Sequence, residues 1–294
     1  MRSLGDEPAL ILDVRRQVGA GELEGPRVFA AGPIFTTAGG HPVVTFGSDP
    51  DSDFVRLPTS PEDARRAVSE LASRTDAVNL IKVVQERGRP GRALEPIPRD
   101  VLSAIVAEAH DHGLPVVAHW GTADDLEDAL ATGVDQLEHF GPRGVLDGWP
   151  APTLDALLER DLSISPTFVV AELATPSDVM VQLQERFGEF YEAGGRVTVG
   201  SDAGMADVPF GAGVHRELEL LVGAGLTPRD ALRAATSNAA RSLGTDQIGV
   251  IEPGRAADLL VVDGNPLADI RVTQNVAMVF RDGRVVLDER AEGE

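Results

Sequence analysis

The sequence predicts an α/β fold, a barrel-like succession of βα units followed by a small all-β element, and three observations predict it. Short Val- and Ile-rich runs alternate with longer segments of helical period, the pattern of successive βα units rather than of a sandwich or a bundle. Several of those runs end in a polar, metal-competent side chain where a buried parallel strand should be apolar. After about residue 247 the long helical segments stop and strand-like runs take over.

The strand candidates, in order, are PRVFAAG (26 to 32), AVNLIKV (77 to 83), LPVVAH (114 to 119), VDQLEH (134 to 139), LSISPT (162 to 167) and RVTVGSD (196 to 202). Helices lie between them. Ser60-Pro61-Glu62-Asp63 offers an N-cap, a proline at the first helical position and acids in the first turn. Arg99 to His112 carries Val101, Leu102, Ile105, Val106 and Ala109 on one stripe and is closed by Gly113. Thr227-Pro228-Arg229-Asp230 opens a further helix expected to run to Gly244. Beyond it, Asp282-Gly283 between apolar runs signals a tight hairpin.

The charge balance excludes several functions. The 294 residues include 47 Asp and Glu against 26 Lys and Arg, a net charge of −21. A surface this acidic repels phosphate backbones and anionic lipid, so neither nucleic acid nor a membrane surface is an expected partner. A small-molecule or peptide substrate is, and homo-oligomerisation is left open. With no cysteine there is no thiolate metal site, and any transition metal must be held by His and carboxylates. No apolar stretch approaches the roughly 20 residues of a membrane span, and no signal pattern opens the chain, which points to a soluble, cytoplasmic protein.

The polar strand ends are Lys82, His119, His139, Thr167 and Asp202. In a (β/α)8 barrel the C-terminal strand ends form the active-site face, so a Lys, two His and an Asp at successive strand ends make a ligand constellation. Lys82 is the chain's only lysine, every other basic residue being Arg. A surface lysine and two core histidines satisfied by backbone are the bland alternatives, and a turn or helix N-cap is the alternative for Asp202.

These segments, with TTAGGHP and the stretch HRELELLVGAGLTPRDALRAATSNAARSLG running into IGVIEPGRAADLLVVDGNPLADI, resemble the amidohydrolase superfamily in its imidazolonepropionase and prolidase-like branch. The resemblance covers essentially the whole chain. It implies a (β/α)8 TIM-type barrel over residues 1–247 and the C-terminal part of a small β-sandwich over 248–294. It further implies that Lys82 is carbamylated by CO2 and bridges two Zn2+ ions, that His119 and His139 bind the second metal, and that Asp202 binds the first and shuttles the proton. The activity implied is hydrolysis of C–N bonds in amides, peptides or cyclic amides by metal-activated hydroxide.

One departure stands out. The family's first metal is also held by an H-x-H pair at the end of strand 1, and this chain begins, on the same alignment, near the end of strand 2. The barrel is therefore expected to lack strand 1 and most of strand 2, and the site to hold one metal in place of two. His110-Asp111-His112 is a false substitute, since it ends a helix on the opposite face. Ester or lactone hydrolysis by the same site, and a scaffold that lost catalysis with its first ligands, are the rival readings. His41, in the loop after an early strand, and His215, opening a helix after the Asp202 strand, are candidate substrate-binding residues. Trp120 is either a pocket wall or a strand-end cover. Glu138 is expected, by strand alternation, to face away from His139 and to pack or pair behind the barrel.

Overall fold

The computed structural model describes residues 1–141, 145–205 and 207–290. The chain forms two compact units, Met1–Leu162 and Ser163–Glu294, and the architecture is α/β with parallel sheet.

The first unit runs β1 (Arg2–Ser3), α1 (Pro8–Ala20), β2 (Phe29–Ala30), β3 (Ile34–Phe35), α2 (Val43–Phe46), β4 (Val55–Arg56), α3 (Pro61–Ser73), β5 (Ile81–Gln85), β6 (Gly88–Arg89), β7 (Arg92–Ala93), α4 (Arg99–Asp111), β8 (Val116–Trp120), α5 (Ala123–Thr132), β9 (Gln136–Glu138) and α6 (Thr153–Glu159). Its main sheet is parallel throughout, in the order β9-β8-β5-β3-β4. β1 and β2 make a separate parallel pair, and β6 and β7 an antiparallel hairpin.

All five residues of β5 are buried, as a parallel strand covered on both faces requires. The helices that cover it begin where the sequence says they should. Ser60 accepts from the Asp63 N–H at 3.2 Å with Pro61 at the first position. Thr122 and Asp125 close a reciprocal capping box on α5. α4 ends at Asp111 with Gly113 in the left-handed region, at φ 70°.

Behind the sheet lies a buried polar network that the hydrophobic pattern does not reveal. The Asp128 carboxylate, 3% exposed, accepts from Gln85 at 2.8 Å, Arg87 at 2.5 Å and Arg99 at 2.6 Å. Asp125, fully buried, accepts from Arg87 Nη1 at 2.6 Å and from the N–H groups of Gly121 and Thr122. Gln85 also exchanges hydrogen bonds with both backbone groups of Ile97. Every partner is matched, so the network fixes the end of β5 instead of destabilising it.

The second unit contains β10 (Ser163–Ser165), α7 (Phe168–Ala174), α8 (Ser177–Glu192), β11 (Arg196–Val197), α9 (Ala212–Gly223), α10 (Pro228–Ala235), α11 (Ser237–Ser242), β12 (Leu259–Val262), a 3-10 turn (Ile270–Gln274), β13 (Val276–Arg281) and β14 (Arg284–Asp288). β10 and β11 are parallel, whereas β12, β13 and β14 form an antiparallel sheet. The hairpin at Asp282-Gly283 is as expected, with φ of 48° and 77° at the two turn residues. Phe168, Phe187 and Phe190 form a fully buried aromatic cluster.

The long helix expected from Thr227 to Gly244 is in fact two. It breaks at Thr236, whose φ and ψ are −124° and −93°. Thr236 donates its hydroxyl to the Leu232 carbonyl at 2.7 Å, and Asn238 turns its amide to the Val197 carbonyl at 2.9 Å. A Thr-Ser-Asn run offers the backbone such competing partners, which interrupts a helix that periodicity alone would continue. Among the described residues no helix is long and apolar enough to cross a membrane.

Candidate active site

Lys82 sits in β5 with 5% of its surface exposed, which removes the surface-lysine alternative. The register pairs Lys82 with Val117 and Val84 with His119. Successive side chains alternate and register partners share a face, so Lys82 and His119 lie on one face, His119 nearer the strand end. The His119 and His139 rings meet edge to face with centroids 4.7 Å apart. His41 stacks on His119 at 5.0 Å and 19°. Three imidazoles and the chain's only lysine therefore come together in the first unit.

His139 reaches this cluster because its backbone is unusual. It follows β9 with φ 69°, a left-handed conformation that a non-glycine residue adopts at a cost. Trp120, 1% exposed, holds that turn by donating its indole N–H to the His139 carbonyl at 2.8 Å. Trp120 is thus a strand-end fastener. The same turn corrects the reading of Glu138. Glu138 is the register partner of His119 and shares its face, because alternation does not carry through a left-handed residue. It is paired, as expected, but with Arg2, which also donates to Gln136 Oε1 at 2.5 Å.

The electrostatics favour the neutral form of His139 and His41. Burial pushes the His139 pKa well below the usual histidine value, and the charges of His119, Lys82 and His41 push the same way. Burial also lowers His41; Lys82 and Arg92 add to that, and Glu86 opposes it. Glu86 faces His119, with its Oε2 3.1 Å from the imidazole Nε2. Strand counting could have found it, since Lys82, Val84 and Glu86 follow the period of two. His41 is fixed by a hydrogen bond between Nδ1 and the Thr45 hydroxyl at 2.5 Å and by its edge contact with Phe46.

A cavity of about 230 Å³ opens beside this cluster, lined by His41, Thr45, Glu86, Gly88, Arg89, Arg92 and Leu94. The sequence pattern had pointed to His41 there and to none of the others.

Asp202 and His215 belong to the second unit. Asp202 follows β11 with φ 53° and accepts the Met205 N–H on its carbonyl at 3.2 Å. Gly200, two residues before it, passes so close to Ser165 that a Cβ would lie 2.4 Å from the serine oxygen and would have to displace it. His215 in α9 shares a hydrogen bond with the Thr273 hydroxyl at 3.1 Å. His110 pairs with Asp135 at 2.9 Å, and His112 with Glu108 at 3.3 Å, the structural roles expected of helix-end histidines.

Among the described residues no three His, Asp or Glu side chains are grouped to hold a metal by themselves. The zinc set implied by the resemblance needs the lysine as a fourth kind of donor. Its chemistry fits: His139, kept neutral by burial, retains a lone pair for a cation, His119 brings a second imidazole, and a buried amine becomes an anionic ligand on carbamylation.

Comparison with known proteins gives the class. The amidohydrolase family model matches residues 4–286, and the chain belongs to that family. It is 25% identical over 313 residues to ochratoxinase from Aspergillus niger, an alignment covering 93% of this chain but 62% of that protein. Among solved structures it is similar to a Xaa-Pro dipeptidase with methionine bound in its active site, at 28% identity and a TM-score of 0.81, covering 97% of this chain and 74% of that one. It is also similar to a putative prolidase from Bifidobacterium longum, at 30% identity and a TM-score of 0.78, covering 97% and 72%.

Proposed function

We propose that this chain is a metal-dependent hydrolase of C–N bonds in amides, peptides or cyclic amides. The observation that carries the reading is the placement of Lys82, 5% exposed, on the face of His119, whose ring lies 4.7 Å from that of His139. A bare ammonium there is costly, and it suppresses the protonation of its neighbours. Conversion to a carbamate removes the positive charge and leaves an anion beside the imidazoles.

Lys82 as its carbamate, His119 and His139 would hold a zinc ion, the family's second metal; the resemblance gives Asp202 to the first. Bound zinc would supply a Lewis acid for the scissile carbonyl and a water of lowered pKa. The chain's own residues do the rest. The Asp202 carboxylate would take the proton of the attacking water and return it to the leaving nitrogen. Glu86 holds the Nε2 side of His119 and so orients the ring. His41, stacked on His119, shields that side from bulk water.

The chain's six histidines contain one H-x-H, His110-Asp111-His112, and both of its rings are paired elsewhere. The residues present therefore support one cation. The same reading places the parallel strands in a (β/α)8 barrel over 1–247 and the antiparallel sheet in a sandwich element over 248–294. Because the chain spans 62% of the ochratoxinase it matches, activity is best tested directly.

The test is metal content and turnover of the protein purified with zinc and bicarbonate. One zinc per chain with hydrolysis of N-acyl amino acids, both lost in Lys82→Ala, is the expected result. Zinc and turnover retained in Lys82→Ala refute the reading; no zinc and no turnover in the unsubstituted protein support a scaffold.

A further inference from the structure

Along the strand that leads to Asp202 runs a polar row that the hydrolytic chemistry leaves unexplained. β10 and β11 pair in parallel, Ser163 with Arg196 and Ile164 with Val197. The Thr198 N–H donates to the Ile164 carbonyl at 3.0 Å and carries the same register one step further, so Thr198 stands beside Ser165. Alternation then separates two faces. Ile164 and Val197 give one of them buried apolar side chains. The other carries Ser163, Ser165, Arg196 and Thr198, with Gly200 two residues further on. A buried parallel strand is ordinarily apolar on both faces, and this pair is hydroxyl-bearing on one.

Ser163 and Ser165 are both fully buried, and among the described residues neither hydroxyl has a hydrogen-bond partner. Two such groups on one short strand are costly if dry, because each has lost its hydrogen bonds to bulk water and gained none. Gly200 keeps room beside them. A Cβ there would lie 2.4 Å from Ser165 Oγ and 3.7 Å from Thr167 Cγ2, so a side chain at this position would close the gap on that hydroxyl. The row begins and ends near solvent. Arg196 and Gly200 are partly exposed, whereas Ser163, Ser165 and Thr198 between them are buried.

We propose that Ser163 and Ser165 bind a file of internal water molecules that runs along β10 and β11 to within two residues of Asp202. The lining selects water over other guests. Each serine hydroxyl donates one hydrogen bond and accepts two, no carboxylate stands in the row to hold a cation, and its charged member, Arg196, stands at the partly exposed end. Ser163 and Ser165 are about 6.6 Å apart along the strand, a spacing that small guests in sequence fill better than one larger molecule. Internal waters occupy polar cavities of this kind, with about three hydrogen bonds each. The water site itself does not depend on the hydrolase reading above; on that reading, it brings water toward the residue assigned to move the proton.

The test therefore uses metal-free protein without substrate. Oxygen-17 magnetic relaxation dispersion counts long-lived internal waters in the parent, in Ser163→Ala, in Ser165→Ala and in the double variant, and thermal unfolding is followed for each. About two fewer waters are expected in the double variant, with a Tm lower by roughly 2 °C in each single variant, the shift from losing one hydrogen bond in a chain of this size. A water count unchanged in the double variant would overturn the proposal. So would a Tm that rises in the alanine variants, since a dry unpaired hydroxyl is better removed. Should a variant fail to fold, water cross-relaxation at the Ser165 and Gly200 amide protons of the parent decides: cross peaks support the file, and their absence refutes it.

Discussion

The Glu86 carboxylate and the His119 imidazole face each other with Oε2 and Nε2 3.1 Å apart. A carboxylate on one ring nitrogen fixes the ring's orientation and leaves the other nitrogen to a cation. Glu86→Ala is expected to weaken zinc binding about 10- to 100-fold. Glu86→Gln, which keeps an acceptor oxygen, should recover most of the loss. Competition with a chromophoric chelator measures both, and an affinity unchanged in Glu86→Ala would deny Glu86 this role.

The network around Asp128 is the main buried polar commitment of the first unit. Asp128→Ala strands Gln85, Arg87 and Arg99 without their shared acceptor. Removing one partner of a buried pair typically costs 3–5 kcal/mol; with Arg99 half exposed, about 3 kcal/mol is expected. Urea unfolding of the variant checks this, and a loss below about 1 kcal/mol would show that water replaces the carboxylate freely.

Glu217 gives the second unit a pH dependence of its own. Its carboxylate is fully buried and accepts the Phe168 and Val169 N–H groups at 2.9 and 2.8 Å. Burial pushes its pKa up to about 8 from 4.5, against the pull of those N–H groups. The folded state therefore holds a proton that the unfolded state releases at lower pH. Stability should fall as pH rises from about 4.5 to about 8 and then level off. Comparing thermal unfolding of the protein and of Glu217→Gln across that range isolates the effect. A variant whose pH profile matches the parent's would show that Glu217 titrates alike in both states.

Much of this was legible in the residues themselves. Ser60, Thr227 and Gly113 mark helix ends by local chemistry, and Lys82, His119 and His139 stand out because buried parallel strands rarely carry such groups. What was not legible depended on backbone departures and long-range pairing. Alternation misplaced Glu138 because His139 leaves the strand with φ 69°. Helical period overran Thr236 because the competing acceptors, Leu232 and Val197, include one far away in sequence.

The central claim concerns Lys82, and the sequence makes it simple to test, since no other lysine exists in the chain. Protein supplied with zinc and 13C-bicarbonate should show a single slow-exchanging carbamate carbon by NMR, present in the parent and absent in Lys82→Arg. A zinc-loaded protein with no carbamate signal, or one whose signal persists in Lys82→Arg, would contradict the account.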